Sequence, residues 1–182
     1  MPNYKQMPLT VINKYLSDTL FDAGIMYKEI TINGKKQPTI IPAAQTPELN
    51  DSGAVGDERQ TTFMVYTLVL DEDEQQDWSD CEKMEFTIYA PTVSKILEVI
   101  YCFKDSFGRG YSSADEINDW QVSKLAPGED IYFEFLATSW KVIIGPSATR
   151  TEGGRYGAAI ELHYEYTYPV TTKPNGSVGK RV

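Results

Sequence analysis

The only histidine of this 182-residue chain lies between two glutamates, as Glu161-x-His163-x-Glu165. In a β-strand alternate residues share a face, so the three side chains would converge. A carboxylate–imidazole–carboxylate row is a set from which a divalent-metal site can be built. Yet neighbours two apart on a strand stand about 6–7 Å apart at the backbone, and the sequence offers no further ligand beside them. The polar face of a sheet accounts for the same pattern. A nucleophilic triad would need His163 as its base, but no GxSxG elbow precedes it.

A second acidic pattern, Asp71-x-Asp73-x-Gln75 with Glu82 at the twelfth position, resembles a calcium loop. Gln76 stands where the sharp turn requires glycine, and strand residues follow rather than a helix. The pattern reads as a solvated loop. The glycines of "FGRGY" and "EGGRYG" match neither GxxxxGK[ST] nor GxGxxG and read as turns. Cys81 and Cys102 sit in no CxxC or Cys/His cluster, which points to reduced thiols and away from structural zinc. Trp78, Trp120 and Trp140 are expected as core or interface anchors. The residues therefore predict no catalytic, cofactor or metal site.

The elements that would position these residues are legible from periodicity. Leu9, Ile12, Leu16 and Leu20, flanked by Val11 and Phe21, predict a helix over Pro8–Phe21, with proline in its first turn and Gly24 past its end. Asn33-Gly34 between two short extended runs predicts a hairpin. Pro38 and Pro42 place its second run at an edge or outside the sheet. Strands are predicted at Thr61–Leu70 and Cys81–Ala90, the latter with Met84, Phe86 and Ile88 on one face. Pro91–Phe107 predicts the strongest helix, with an apolar stripe of Val93, Ile96, Leu97, Ile100, Phe103 and Phe107. Its expected ends are Pro91 in the first turn and Gly108 as the cap. Ser112–Trp120 predicts a short helix, capped by Ser112 or Ser113 with Glu116 in a capping box.

Asp130–Gly145 and the run from Gly154 to Pro169 predict two long strands joined through Pro146–Gly154. In the second, Tyr156, Ala158, Ile160, Leu162, Tyr164, Tyr166 and Tyr168 share the face expected against the helices. The order predicts an α+β fold: a mostly antiparallel sheet covered by two helices, a broadly ferredoxin-like two-layer sandwich. Residues 1–169 are expected as one domain and 170–182 as a flexible tail.

A hydrophobic content of 41% supports a packed core. No apolar run is long enough to span a membrane, and the N-terminal stretch lacks a signal peptide's apolar centre. A cytosolic origin is expected. The net charge of −9 argues against a surface built to neutralise phosphates.

Six segments in order carry a resemblance. They are "MPLTVINKYLSDTLFD" (Met7–Asp22), "FMVYTLVL" (Phe63–Leu70), "DWSDCEKMEFTIYA" (Asp77–Ala90), "VSKILEVIYCFKDSFGR" (Val93–Arg109), "SSADEINDW" (Ser112–Trp120) and "EGGRYGAAIELHYEYT" (Glu152–Thr167). Together they resemble the small tail-terminator or tail-completion proteins of tailed bacteriophages, over roughly Met7 to Tyr168. The resemblance implies a structural virion protein, assembled in the host cytoplasm, that is not an enzyme and has no catalytic residue and no cofactor. It implies a homo-oligomeric ring, usually of six subunits, that ends tail-tube polymerisation at the head-proximal end. Its partners would be the tail tube, the neck connector and, in contractile tails, the last ring of sheath. DNA would pass through without specific binding. Six subunits at −9 would place about −54 on such a ring. Ala43–Arg59, Asp71–Asp80 and Pro146–Gly154 are the expected contact loops. The alternatives are a head–tail connector or adaptor, a metal-dependent enzyme using Glu161, His163 and Glu165, and a small ligand-binding domain.

Overall fold

A computed structural model describes residues 7–46, 57–69, 79–125, 134–147 and 154–167. Helix α1 spans Pro8–Asp22, with proline in its first turn. Its buried side chains are Pro8, Val11, Ile12, Tyr15, Leu16 and Leu20. Phe21 is exposed. β1 (Glu29–Ile32) and β2 (Lys35–Pro38) form the antiparallel hairpin expected from Asn33-Gly34. Both turn residues have positive φ, 51° and 75°, as the primed hairpin turn demands.

The main sheet has the order β3-β4-β5-β7-β6. Its strands are β3 (Ile40–Pro42), β4 (Phe63–Val69), β5 (Asp80–Ala90), β6 (Glu134–Ile144) and β7 (Tyr156–Thr167). All neighbours are antiparallel except β3 and β4, so the sheet is mixed. β3 is the edge strand that Pro42 requires. Thr61, expected to open β4, instead closes a helical turn, α2 (Glu58–Thr61), capped by the Asp57 side chain.

The fold is thus α+β, with a mostly antiparallel sheet. Two helices lie directly against it, and α1 packs on those two. α3 spans Val93–Phe107 and α4 spans Tyr111–Trp120, followed by a π-helical turn at Gln121–Leu125. α3 packs on β5, β6 and β7, α4 mainly on β6, and α1 on α3 and α4. Met84, Phe86 and Ile88 face this layer at 0% exposure, with Ala158, Ile160, Leu162, Tyr164 and Tyr166 beside them on β7. Trp120 and Trp140 pack against the same core, as anchors.

Three local expectations need correction. Pro91 precedes α3 and does not enter it; Thr92 is the N-cap, its hydroxyl accepting from the Lys95 amide. The α3 stripe is rotated by about one residue. Ile96, Val99, Cys102, Phe103 and Phe107 are buried, whereas Leu97 is exposed and Ile100 half-buried, because contact with both the sheet and α1 selects a different face. α4 is capped by Gly110 at φ 56°, not by a serine. Ser113 Oγ instead accepts from the Arg109 amide, and Glu116 pairs with the Arg109 guanidinium at 2.9 Å.

The far side of the sheet is also partly covered. Ile30 and Ile32 of the hairpin pack on Ile41 and Phe63, with Val65 and Tyr89 alongside. Arg155, 2% exposed, lies next to this cluster, its guanidinium 5.3 Å from the Phe63 ring centre. Its Nε donates to the Thr61 carbonyl at 2.9 Å, tying the start of β7 to the start of β4. Burial lowers the proton affinity of this guanidinium. The expected tail, 170–182, lies outside the described residues, as do residues 47–56, 70–78 and 148–153 of the expected contact loops.

Candidate functional site on the polar face of the sheet

Odd-numbered residues of β5 and β7 point away from the helices. The register sets Cys81 opposite Glu165, Lys83 opposite His163, and Glu85 opposite Glu161. β6 adds Ala137, Ser139 and Lys141 to the same three rows. Glu161, His163 and Glu165 therefore share a face as the alternation predicted. The side chains of Glu161 and His163 meet, whereas that of Glu165 turns to a different partner.

Glu161 is the centre of the first group. It is 6% exposed, unusual for a carboxylate, because longer neighbours close over it. His163 Nε2 lies 2.7 Å and Lys141 Nζ 2.9 Å from the same atom, Oε1. Burial pushes the Glu161 carboxyl up, but the His163 and Lys141 hydrogen bonds and the charge of Lys83 outweigh it and hold the group below its ordinary range. Glu165 belongs elsewhere: its Oε1 accepts from Ser79 Oγ at 2.6 Å. Among the described residues, no group of three or more His, Cys, Asp or Glu side chains is placed to hold a metal ion.

A depressed carboxyl has a defined acid signature. Its contribution to stability is complete above the unfolded-state pKa and is lost as the pH falls through the lower folded value. Glu161→Gln is expected to cost about 1 kcal/mol at pH 7. The difference from wild type should close in acid, below about pH 4. Urea titrations of both proteins from pH 3 to pH 7 check it, and a difference that does not shrink in acid contradicts the assignment.

A second polar cluster lies on the helix-facing side. Glu82 accepts hydrogen bonds from the hydroxyls of Tyr164, at 2.5 Å, and Tyr166, at 2.8 Å. Burial, then the Glu82 charge and hydrogen bond, push the Tyr164 hydroxyl well above its ordinary pKa, so it stays a donor. The cluster was readable in principle, since Glu82 shares the parity of Met84, Phe86 and Ile88. It also bears on the calcium-like pattern. Asp71, Asp73, Gln75 and Gln76 lie outside the described residues, while Glu82, the twelfth position, is engaged by two tyrosines.

No family model matches the chain, and no curated protein matches it. Cys81 and Cys102 are free thiols. Cys102 is buried on α3 near Ser106, and burial pushes its thiol up, which makes it a poor nucleophile. Cys81 points to the opposite face of the sheet, so the two do not meet. No described helix is long and apolar enough to cross a membrane. The polar face carries Lys83 opposite His163 and Glu85 opposite Glu161, with Lys141 of β6 beside Glu161.

Proposed function

We propose that the chain is a structural subunit of a tailed-bacteriophage virion: a tail terminator that closes the head-proximal end of the tail tube as a six-membered ring. In this reading the α+β body is the ferredoxin-like two-layer sandwich of such proteins. The observation that carries the proposal is a coincidence of position. The six segments that bear the resemblance fall on α1, β4, β5, α3, α4 and β7, which hold most of the core. The likeness thus lies in residues that determine a fold and not in exchangeable surface loops.

Charge supports the same reading. A ring of subunits at −9 repels DNA and lets it pass without adhesion. Neighbouring subunits, the tube, the connector and, in a contractile tail, the sheath would be met through Ala43–Arg59, Asp71–Asp80 and Pro146–Gly154. The test is mass by light scattering, followed by electron microscopy and by addition to growing tail tubes. A ring of six times 20.5 kDa, about 123 kDa, that stops tube growth is expected. A protein that forms no ring, alone or on tubes, and leaves tube length unchanged would sink the proposal.

A further inference from the structure

Asn33-Gly34 closes a hairpin that stands apart from the main sheet. The turn holds Asn33 at φ 51° and Gly34 at φ 75°. Both residues are exposed, and a Cβ built on Gly34 would meet nothing within 4 Å. Asparagine is a chemically labile residue. It is most labile before glycine, which puts no side chain in the way of its own nitrogen. The reaction is intramolecular. The Gly34 nitrogen attacks Asn33 Cγ, a bond forms between them, and the Cγ–Nδ2 bond breaks. Ammonia leaves with the proton of the Gly34 amide. Water then opens the cyclic imide at either carbonyl, giving aspartate or isoaspartate.

The turn blocks the first step. Closing the ring requires the Gly34 nitrogen to lie on the same side of the Asn33 Cα–C bond as Cβ. A primed turn with positive φ at both central residues holds ψ of the first at about +30°. At that angle the nitrogen lies nearly opposite Cβ across the bond, and Cγ is out of its reach. Pairing of Ile32 with Lys35 keeps the turn in this shape. Reaction therefore needs the turn to open.

The hairpin is the part of the fold most ready to do so. Two strands of four residues are marginal by themselves. Ile30 and Ile32, 3% and 5% exposed, hold them down by packing on Ile41 and Phe63. A unit held by so small an apolar contact opens more readily than the sheet core.

We infer that Asn33 is a gated site of covalent modification, closed to deamidation while the turn holds and converted to aspartate and isoaspartate when the hairpin opens. The two products differ in consequence. Asp-Gly is itself a favoured hairpin pair, so aspartate keeps the turn. Isoaspartate routes the backbone through Cβ and adds an atom to the loop. Ile32 and Lys35 then lose their register, and Ile30 and Ile32 lift from Ile41 and Phe63. Either product adds one carboxylate, taking the chain from −9 to −10.

The inference stands without the ring reading. The full chain is held in mildly alkaline buffer, native and in urea. The Asn33 peptide is followed by mass spectrometry for a gain of about 1 Da, and isoaspartate is counted by enzymatic methylation. A second such pair, Asn175-Gly176, gives the intrinsic rate once both are unfolded in urea. Native conversion at Asn33 is expected to be at least about ten-fold slower than in urea, and Ile32→Ala to recover most of that difference. Ile117→Val, in the core on α4, should leave the native rate at the wild-type value. If Ile32→Ala does not fold, Ile30→Val makes the same comparison with a smaller loosening. Equal rates in native buffer and in urea overturn the protection. A native rate unchanged by loosening the hairpin, or raised equally by Ile117→Val, overturns the gate. Freshly purified Asn33→Asp should keep wild-type hydrogen-exchange protection across Glu29–Pro38, and the purified isoaspartate form should lose it. Full protection in the isoaspartate form overturns the stated consequence.

Discussion

Arg155→Ala lowers the unfolding free energy by roughly 3 kcal/mol, the expected result of emptying a site that only a guanidinium fills. The residue is buried, its Nε is bonded to the Thr61 carbonyl, and its guanidinium carbon lies 5.3 Å from the Phe63 ring centre. Removing it leaves a buried carbonyl without that donor and a gap beside the second apolar cluster. Lysine is not a substitute, since it has no Nε donor on a planar group. Arg155→Lys should therefore recover little of the loss. For a chain of this length the expected fall in Tm is roughly 6–12 °C. Thermal and urea unfolding check both variants; a loss under about 1 kcal/mol would show that Arg155 is not the tie between β7 and β4.

The second large effect belongs to Phe86→Ala, at about 4 kcal/mol. Phe86 is wholly buried at the middle of the sheet, with its ring 5.2 Å from that of Phe103 and 6.4 Å from that of Tyr66. It faces Tyr66 on one neighbouring strand and Ile160 on the other. A cavity there is walled by strands and α3, which have little freedom to close in. Leu97→Ala is the informative control. Periodicity places Leu97 in the α3 core stripe, but the side chain is exposed, so its loss should cost under about 1 kcal/mol. Equal losses at the two positions would contradict the orientation of α3 described above.

That contrast shows where the sequence was legible. Period-2 patterning identified the inward faces of β5 and β7 residue by residue, because a strand has only two faces and burial chooses between them. Asn33-Gly34 was legible because the positive φ of both residues is a local property of the turn. The rotation of α3 was not, since a helix has a continuous range of faces and α1 helps choose one. The serine caps of α4 failed for a related reason: Gly110 adopts a positive φ and starts the helix earlier than the serines would. For the polar face, alternation brought Glu161, His163 and Glu165 to one side. It could not foresee that Lys141 and Ser79, remote in sequence, would take up the two carboxylates separately. The hairpin's place over Ile41 and Phe63 depended on tertiary packing as well.

The strand order also dictates when the molecule can become itself. β7 lies between β5 and β6, yet it is the last of the described strands along the chain. A ribosome that has delivered everything through β6 has made a three-stranded fragment, β3-β4-β5, and a lone strand, β6, with no ladder between them. Each shows a raw apolar edge, and Phe86 and Ile88 await Ile160 and Ala158. Closure requires a segment about eighty residues downstream, a slow kind of contact to form. Chains cut short before Thr167 should be prey for proteases and chaperones, however sound their helices. The late arrival of β7 makes its own emergence the trigger for closing the sheet.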